Sequence, residues 1–110
     1  MTKVKFLFDS NGYCGFEIVG HSSKNCNDEE GKIVCSAVSS AAYMAANTIT
    51  EIIGDKAESS VSDAKMYFCV KDPSPNSRQV IKGLELHLKE LSGQYGNNIT
   101  ILGGAKNVKD

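Results

Sequence analysis

Near the start of the chain Val4, Phe6 and Phe8 alternate with Lys3, Lys5 and Leu7, and a second alternating run carries Phe16, Ile18 and Gly20. An Asn11-Gly12 step lies between the two runs, so the pattern predicts two strands joined as a hairpin. From His21 to Gly31 all periodicity is lost and Ser, Asn, Asp and Glu collect. Those residues read as a polar loop, and a loop of that length often carries function. Helical spacing takes over with Ile33, Val34, Ala37, Val38, Ala41, Ala45, Ile49, Ile52 and Ile53, ahead of Gly54. This predicts a helix over residues 33–53 closed by a C-terminal glycine. Its Ser- and Ala-rich middle allows close approach of another backbone, either the sheet or a second copy of the chain.

Residues 55–63 are polar and turn-like with room for a short edge strand, and residues 64–70 read as a mostly buried strand ended by Asp72-Pro73-Ser74-Pro75. Asn76 or Ser77 can cap a second helix with the stripe Val80, Ile81, Leu84, Leu88, Leu91 and Tyr95, and Gly93 and Gly96 mark its end. Residues 98–102 form a closing strand. The order strand, strand, helix, strand, helix, strand predicts an α+β two-layer domain. Its mainly antiparallel sheet, of four or five strands, carries both helices on one face. The domain is expected to occupy residues 1–102, with 103–110 as a tail.

Composition narrows the function. A length of 110 residues suits one core and not two. With 12 Lys and Arg against 13 Asp and Glu there is no basic excess to neutralise phosphates, so no direct nucleic-acid contact is expected. No apolar run suits a bilayer span and the start of the chain lacks a signal-peptide core, so a cytoplasmic protein without a membrane partner is expected. In that compartment the four cysteines are expected as free thiols.

The stretch with most chemistry is Gly20-His21, the polar loop, and then Gly31-Lys32-Ile33-Val34-Cys35-Ser36-Ala37-Val38-Ser39. A cysteine in a helix's first turn is expected at Cys35, where the positive helix end and a nearby imidazolium favour the thiolate. His21 can take its proton and return it to a leaving amine, while first-turn amides, those of Cys35 and Ser36 being candidates, hold an oxyanion. By spacing alone such a pair is a weak signal, because the commoner fate of a cysteine is that of a small buried hydrophobe.

The residues themselves resemble the ribosomal-processing cysteine proteases of the Prp type, in which a Gly-His follows the second strand and a Gly-x-Asp-Ile-Val-Cys-x-x-x-Ser signature enters the first helix. Here these are Gly20-His21 and Gly31-Lys32-Ile33-Val34-Cys35-Ser36-Ala37-Val38-Ser39, and the length and element order match over nearly the whole chain. The resemblance implies an α+β cysteine endopeptidase with Cys35 as nucleophile and His21 as base, needing no metal or cofactor. It implies a homodimer that removes the apolar, aromatic-containing N-terminal extension of large-subunit ribosomal protein twenty-seven during ribosome assembly. Gly20, Gly31, Ser36 and Ser39 are then expected to line the site.

Two departures stand out. The family's Asp before Ile-Val-Cys is Lys32 here, and the loop after His21 is a little longer. A lysine cannot accept a hydrogen bond, so Asp28, Glu29 or Glu30 is expected to orient His21, or Lys32 itself favours the Cys35 thiolate. The Asn- and Gly-containing loop over residues 22–31 is expected to order over bound peptide as a gate.

Other readings carry less. Cys14, His21, Cys26 and Cys35 lack the short spacings of a zinc site, and Asp28-Glu29-Glu30 is out of step with a calcium loop. Cys69 is expected as an inert buried thiol and His87 as a partly buried structural histidine. The rivals to the protease reading are a non-catalytic ribosome-assembly or peptide-binding module on the same fold, and a redox sensor in which Cys26 resolves an oxidised Cys35.

Overall fold

In the computed structural model, residues 1–20 and 29–105 are described, with side chains through residue 102. The alternating runs form β1 (Thr2–Asp9) and β2 (Gly12–Val19), paired antiparallel from Lys3↔Val19 to Asp9↔Gly12. The pairing slips between Leu7 and Phe8, so Cys14 is the extra residue of a bulge opposite them. Val4, Phe6, Phe16 and Ile18 stay on one face and are fully buried.

The first helix, α1 (Glu29–Asn47), begins ahead of the expected start at 33 and continues as a π-helical turn, Thr48–Ile53, before Gly54. Two acidic residues, Glu29 and Glu30, open it, which suits the positive end of a helix. The wider π turn changes the phase of the last apolar positions. Ile49 is buried while Ile52 is turned out to solvent at 80% exposure. From Glu29 to Ile53 the helix is 25 residues long and passes a bilayer-span test by length and composition only, as core helices also do. Its stripe of Val34, Val38, Ala42, Ala45 and Ile49 is spent on the core of this domain.

The polar stretch after Gly54 does hold an edge strand, β3 (Ala57–Ser62), paired with β4 (Lys65–Val70). Helix α2 (Pro75–Gln94) follows, capped by the Ser74 side chain, which accepts from the Ser77 amide, with Pro75 in the first turn. Asn76 and Ser77, the expected caps, lie inside the helix, and the Ser77 hydroxyl donates to Asp55 at 2.6 Å. The closing strand β5 (Ile99–Ala105) runs past the expected strand end at 102.

The sheet has five strands in the order β3-β4-β2-β1-β5, antiparallel throughout except for the parallel β1–β5 pair. Both helices pack on one face of it, with Val34 and Val38 from α1 and Ile81, Leu84 and Leu88 from α2 in one cluster with Phe6, Phe16 and Phe68. Gly15 lets β2 lie tight against β4, for a side chain there would stand 2.1 Å from the Phe68 carbonyl oxygen. At the hairpin end Arg78 of α2 grips both carboxylate oxygens of Asp9 (2.8 and 3.2 Å) and the Tyr13 carbonyl (3.0 Å). Tyr13 in turn donates its hydroxyl to Glu85. This clasp locks α2 over the closed end of the hairpin and leaves the open end, where β1 begins and β2 stops, for the chemistry described next.

Candidate active site

Three chain segments meet at the open end of the hairpin. Cys35 comes from α1, Thr2 from the first position of β1, and Gly20 from the residue just after β2. The Cys35 Sγ lies 3.7 Å from the Gly20 carbonyl oxygen and 3.9 Å from Thr2 Oγ1. Thr2 Oγ1 in turn donates to the Gly20 carbonyl at 3.4 Å. Each vertex of this triangle is fixed by backbone. The Thr2 amide donates to Asn98 (2.8 Å), and the Gly20 amide donates to Ala64 (2.6 Å). Gly20 has φ +83, and a side chain on it would meet the Met1 carbonyl oxygen at 2.6 Å, so only glycine suits this position.

Because α1 starts at Glu29, Cys35 occupies its second turn and not its first. Two expectations change with it. In an α-helix each amide from the second turn onward donates to the carbonyl four residues back, so the Cys35 and Ser36 amides belong to the helical ladder and are not free to hold an oxyanion. The helix-end field also fades within the first turn, so it favours a thiolate at Cys35 less than a first-turn position would. Cys35 is 5% exposed, and its sulfur is engaged in a disulfide in this structure, whereas Cys14 and Cys69 are free. The expectation of free thiols throughout is corrected at Cys35.

The other candidates separate by position. Gly31 is buried one turn before Cys35 and Ser39 is half-buried one turn after it, so both share its face of α1, while Ser36 and Lys32 are exposed. Glu29 and Glu30 are exposed residues of the first helical turn and not parts of a loop. His21, Cys26 and Asp28, and with them most of the expected gate, lie outside the described residues. Thr2 is the residue that sequence reasoning missed. Its signal was a hydroxyl in phase with Val4 and Phe6, on the face turned to the core, where it is 3% exposed.

The remaining thiols sit elsewhere. Cys14 and Cys69 are buried with their sulfurs 3.9 Å apart. Burial first, then the neighbouring Cys69, pushes the Cys14 thiol up to about 12, so it stays protonated at neutral pH. A separate apolar groove of about 640 Å³ runs between α1 and α2, past Ala37, Ala41, Met44, Val80, Gly83 and His87. His87 is exposed there and not partly buried as expected. Among the described residues no group of three or more metal-binding side chains occurs.

Residues 1–100 match the family described as Cysteine protease Prp. The chain belongs to this family. It is a cysteine protease. Solved structures with the Prp fold agree with the architecture at low sequence identity. A Streptococcus mutans protein matches with a TM-score of 0.82 and 15% identity, over 100% of this chain and 99% of its own. The essential ribosomal processing protease Prp from S. aureus in complex with a substrate peptide matches with a TM-score of 0.83 and 14% identity, over 93% of this chain and 98% of its own. The same S. aureus protease with a covalently linked product peptide gives 0.77 and 16%, over 92% and 97%. No curated protein sequence matches this chain.

Proposed function

We propose that this protein is an endopeptidase that removes the N-terminal extension of large-subunit ribosomal protein twenty-seven, with Cys35 as nucleophile and His21 as base. The observation that carries this reading is the contact of the Cys35 sulfur with the Gly20 carbonyl. Gly20 is the glycine of the Gly-His pair, so one member of that pair touches the cysteine of the family signature although fifteen positions separate them in the sequence.

The chemistry needs Cys35 reduced. His21 takes the thiol proton and the thiolate attacks the scissile carbonyl carbon, forming a C–S bond and a tetrahedral oxyanion. Collapse breaks the C–N bond, and His21 gives its proton to the departing amine. Water, deprotonated by His21, then hydrolyses the thioester and restores the thiol. Gly31 and Ser39, one turn to either side of Cys35 on α1, border the bound chain, and an extended, largely apolar segment suits such a site. The S. aureus relative, a ribosomal processing protease seen with a substrate peptide, supports the substrate class. Action as a homodimer in the cytoplasm belongs to the same proposal.

The test is mass spectrometry of the reduced protein with a peptide spanning that extension. Cleavage at one bond by the parent, and none by Cys35→Ala or His21→Ala, is expected. An intact peptide with the parent would overturn the reading. The disulfide at Cys35 favours one addition, that oxidation holds the enzyme in an inactive form.

A further inference from the structure

We propose that Thr2 is a positioning residue whose hydroxyl donates a hydrogen bond to the Cys35 sulfur and lowers the cost of forming its thiolate. The inference rests on the reading of Cys35 as the nucleophile and adds a residue to it. A cysteine in the second turn of α1 receives little of the helix-end field, so another donor has to favour its anion. Thr2 Oγ1 is 3.9 Å from the sulfur, and it is the hydroxyl that must donate, because a disulfide sulfur carries no proton and a thiolate carries none either.

The hydroxyl has two acceptors within reach, the Gly20 carbonyl at 3.4 Å and the Cys35 sulfur. While the sulfur is neutral the carbonyl is the better acceptor. Once it is ionised the charge-assisted bond wins, and a rotation about one side-chain bond transfers the proton donor from one to the other. The surroundings make this count. Thr2 is 3% exposed and Cys35 is 5% exposed, so water competes weakly for either group. The strand places the hydroxyl rigidly, since the Thr2 backbone is held by Asn98 and sits in register with Ile99. Val4 and Phe6, the next residues of β1 on that face, are apolar, so Thr2 breaks the stripe at a position beside the sulfur. The ionisable groups nearest in sequence to the triangle are the Met1 amino group, Lys3, His21 and Lys32, and none of them is replaced when Thr2 is.

The experiment compares the reduced parent with Thr2→Val, which keeps the shape and loses the hydroxyl, and Thr2→Ser, which restores it. The pH dependence of Cys35 alkylation by iodoacetamide reads the thiolate directly, and kcat and KM on the peptide read catalysis. Thr2→Val is expected to raise the apparent pKa of Cys35 by about one unit and to lower kcat roughly tenfold with KM unchanged. Thr2→Ser is expected to return both most of the way. Circular dichroism confirms that each variant is folded, and Thr2→Ala serves where Thr2→Val is not. An unchanged alkylation profile in the folded Val or Ala variant would overturn the proposal and leave Thr2 as a partner of the Gly20 carbonyl alone. Failure of the protease reading looks different, because peptide cleavage would then be absent or survive Cys35→Ala, whereas alkylation still reports whether Thr2 tunes the sulfur.

Discussion

The sulfur of Cys35 stands 3.7 Å from the carbonyl oxygen of Gly20, so a residue of the first helix touches the chain where it leaves the second strand. That contact is set by Gly20 itself, whose φ of +83 and closeness to Met1 leave no room for a side chain.

Replacing Gly20 by alanine therefore strains the backbone and pushes on Met1. We expect a stability loss of about 1–2 kcal/mol from the left-handed conformation alone, and a fall in kcat/KM of at least about tenfold, as the carbonyl beside Cys35 moves. Thermal unfolding and peptide cleavage, measured on the same preparation, check both.

A disulfide sulfur cannot attack a carbonyl, so the oxidised protein is expected to be inactive and a dithiol such as dithiothreitol to restore it. Cleavage assays with and without reductant test this. Mass mapping of the oxidised protein then names the partner of Cys35, for which the redox reading of the sequence proposes Cys26. Full activity without reductant in a protein shown to hold the bond would contradict the expectation.

At the other end of the hairpin, stability should depend on acid. Burial raises the Asp9 carboxyl, but the Arg78 hydrogen bonds and charge, with the Asn11 and Gly12 amides, outweigh it and hold the carboxyl below its usual value. A carboxyl with a depressed folded-state pKa stabilises the fold fully above the ordinary carboxylate range, and that stabilisation is lost as pH falls through the lowered value. Denaturant melts between neutral pH and pH ~3 are expected to show the decline, and Asp9→Asn, costing about 2 kcal/mol at neutral pH, to flatten it.

Much of this architecture was legible from apolar periodicity. The hairpin of β1 and β2, the strand around Phe68 and the stripe of α2 are all two-period or helical patterns that packing against one core enforces. β3 was only half visible because Glu58, Ser59, Ser60 and Ser62 are exposed on an edge strand, held by backbone pairing to β4 and not by burial. The start of α1 was hidden because Glu29 and Glu30 suit its first turn by charge, which leaves no apolar trace. Ile52 belonged to the helical stripe by spacing, yet the π turn rotated it to solvent. At the site, the family signature pointed to Cys35 and to the Gly20-His21 step, and Gly20 does lie beside the Cys35 sulfur. Thr2 was not, because its contact with Cys35 joins positions far apart in sequence and exists only once β1 lies under α1.

The close seating of β2 on β4 gives a stability prediction independent of the site. An added methyl at Gly15 would collide with the Phe68 carbonyl oxygen at 2.1 Å and crowd the Cys69 Cα at 2.9 Å, and neither atom belongs to a flexible side chain. Gly15→Ala is expected to cost about 3 kcal/mol, read as a lower denaturant midpoint. A change under about 0.5 kcal/mol would mean that the strands separate more easily than this packing allows.

The most direct measurement of the central claim, that Cys35 is the nucleophile, is intact-mass analysis of the reduced protein quenched in acid during turnover of the extension peptide. A thioester adduct equal in mass to the N-terminal cleavage fragment less one water, mapped to Cys35 and absent from Cys35→Ala, is the expected result. Continued cleavage of the peptide by Cys35→Ala would contradict it.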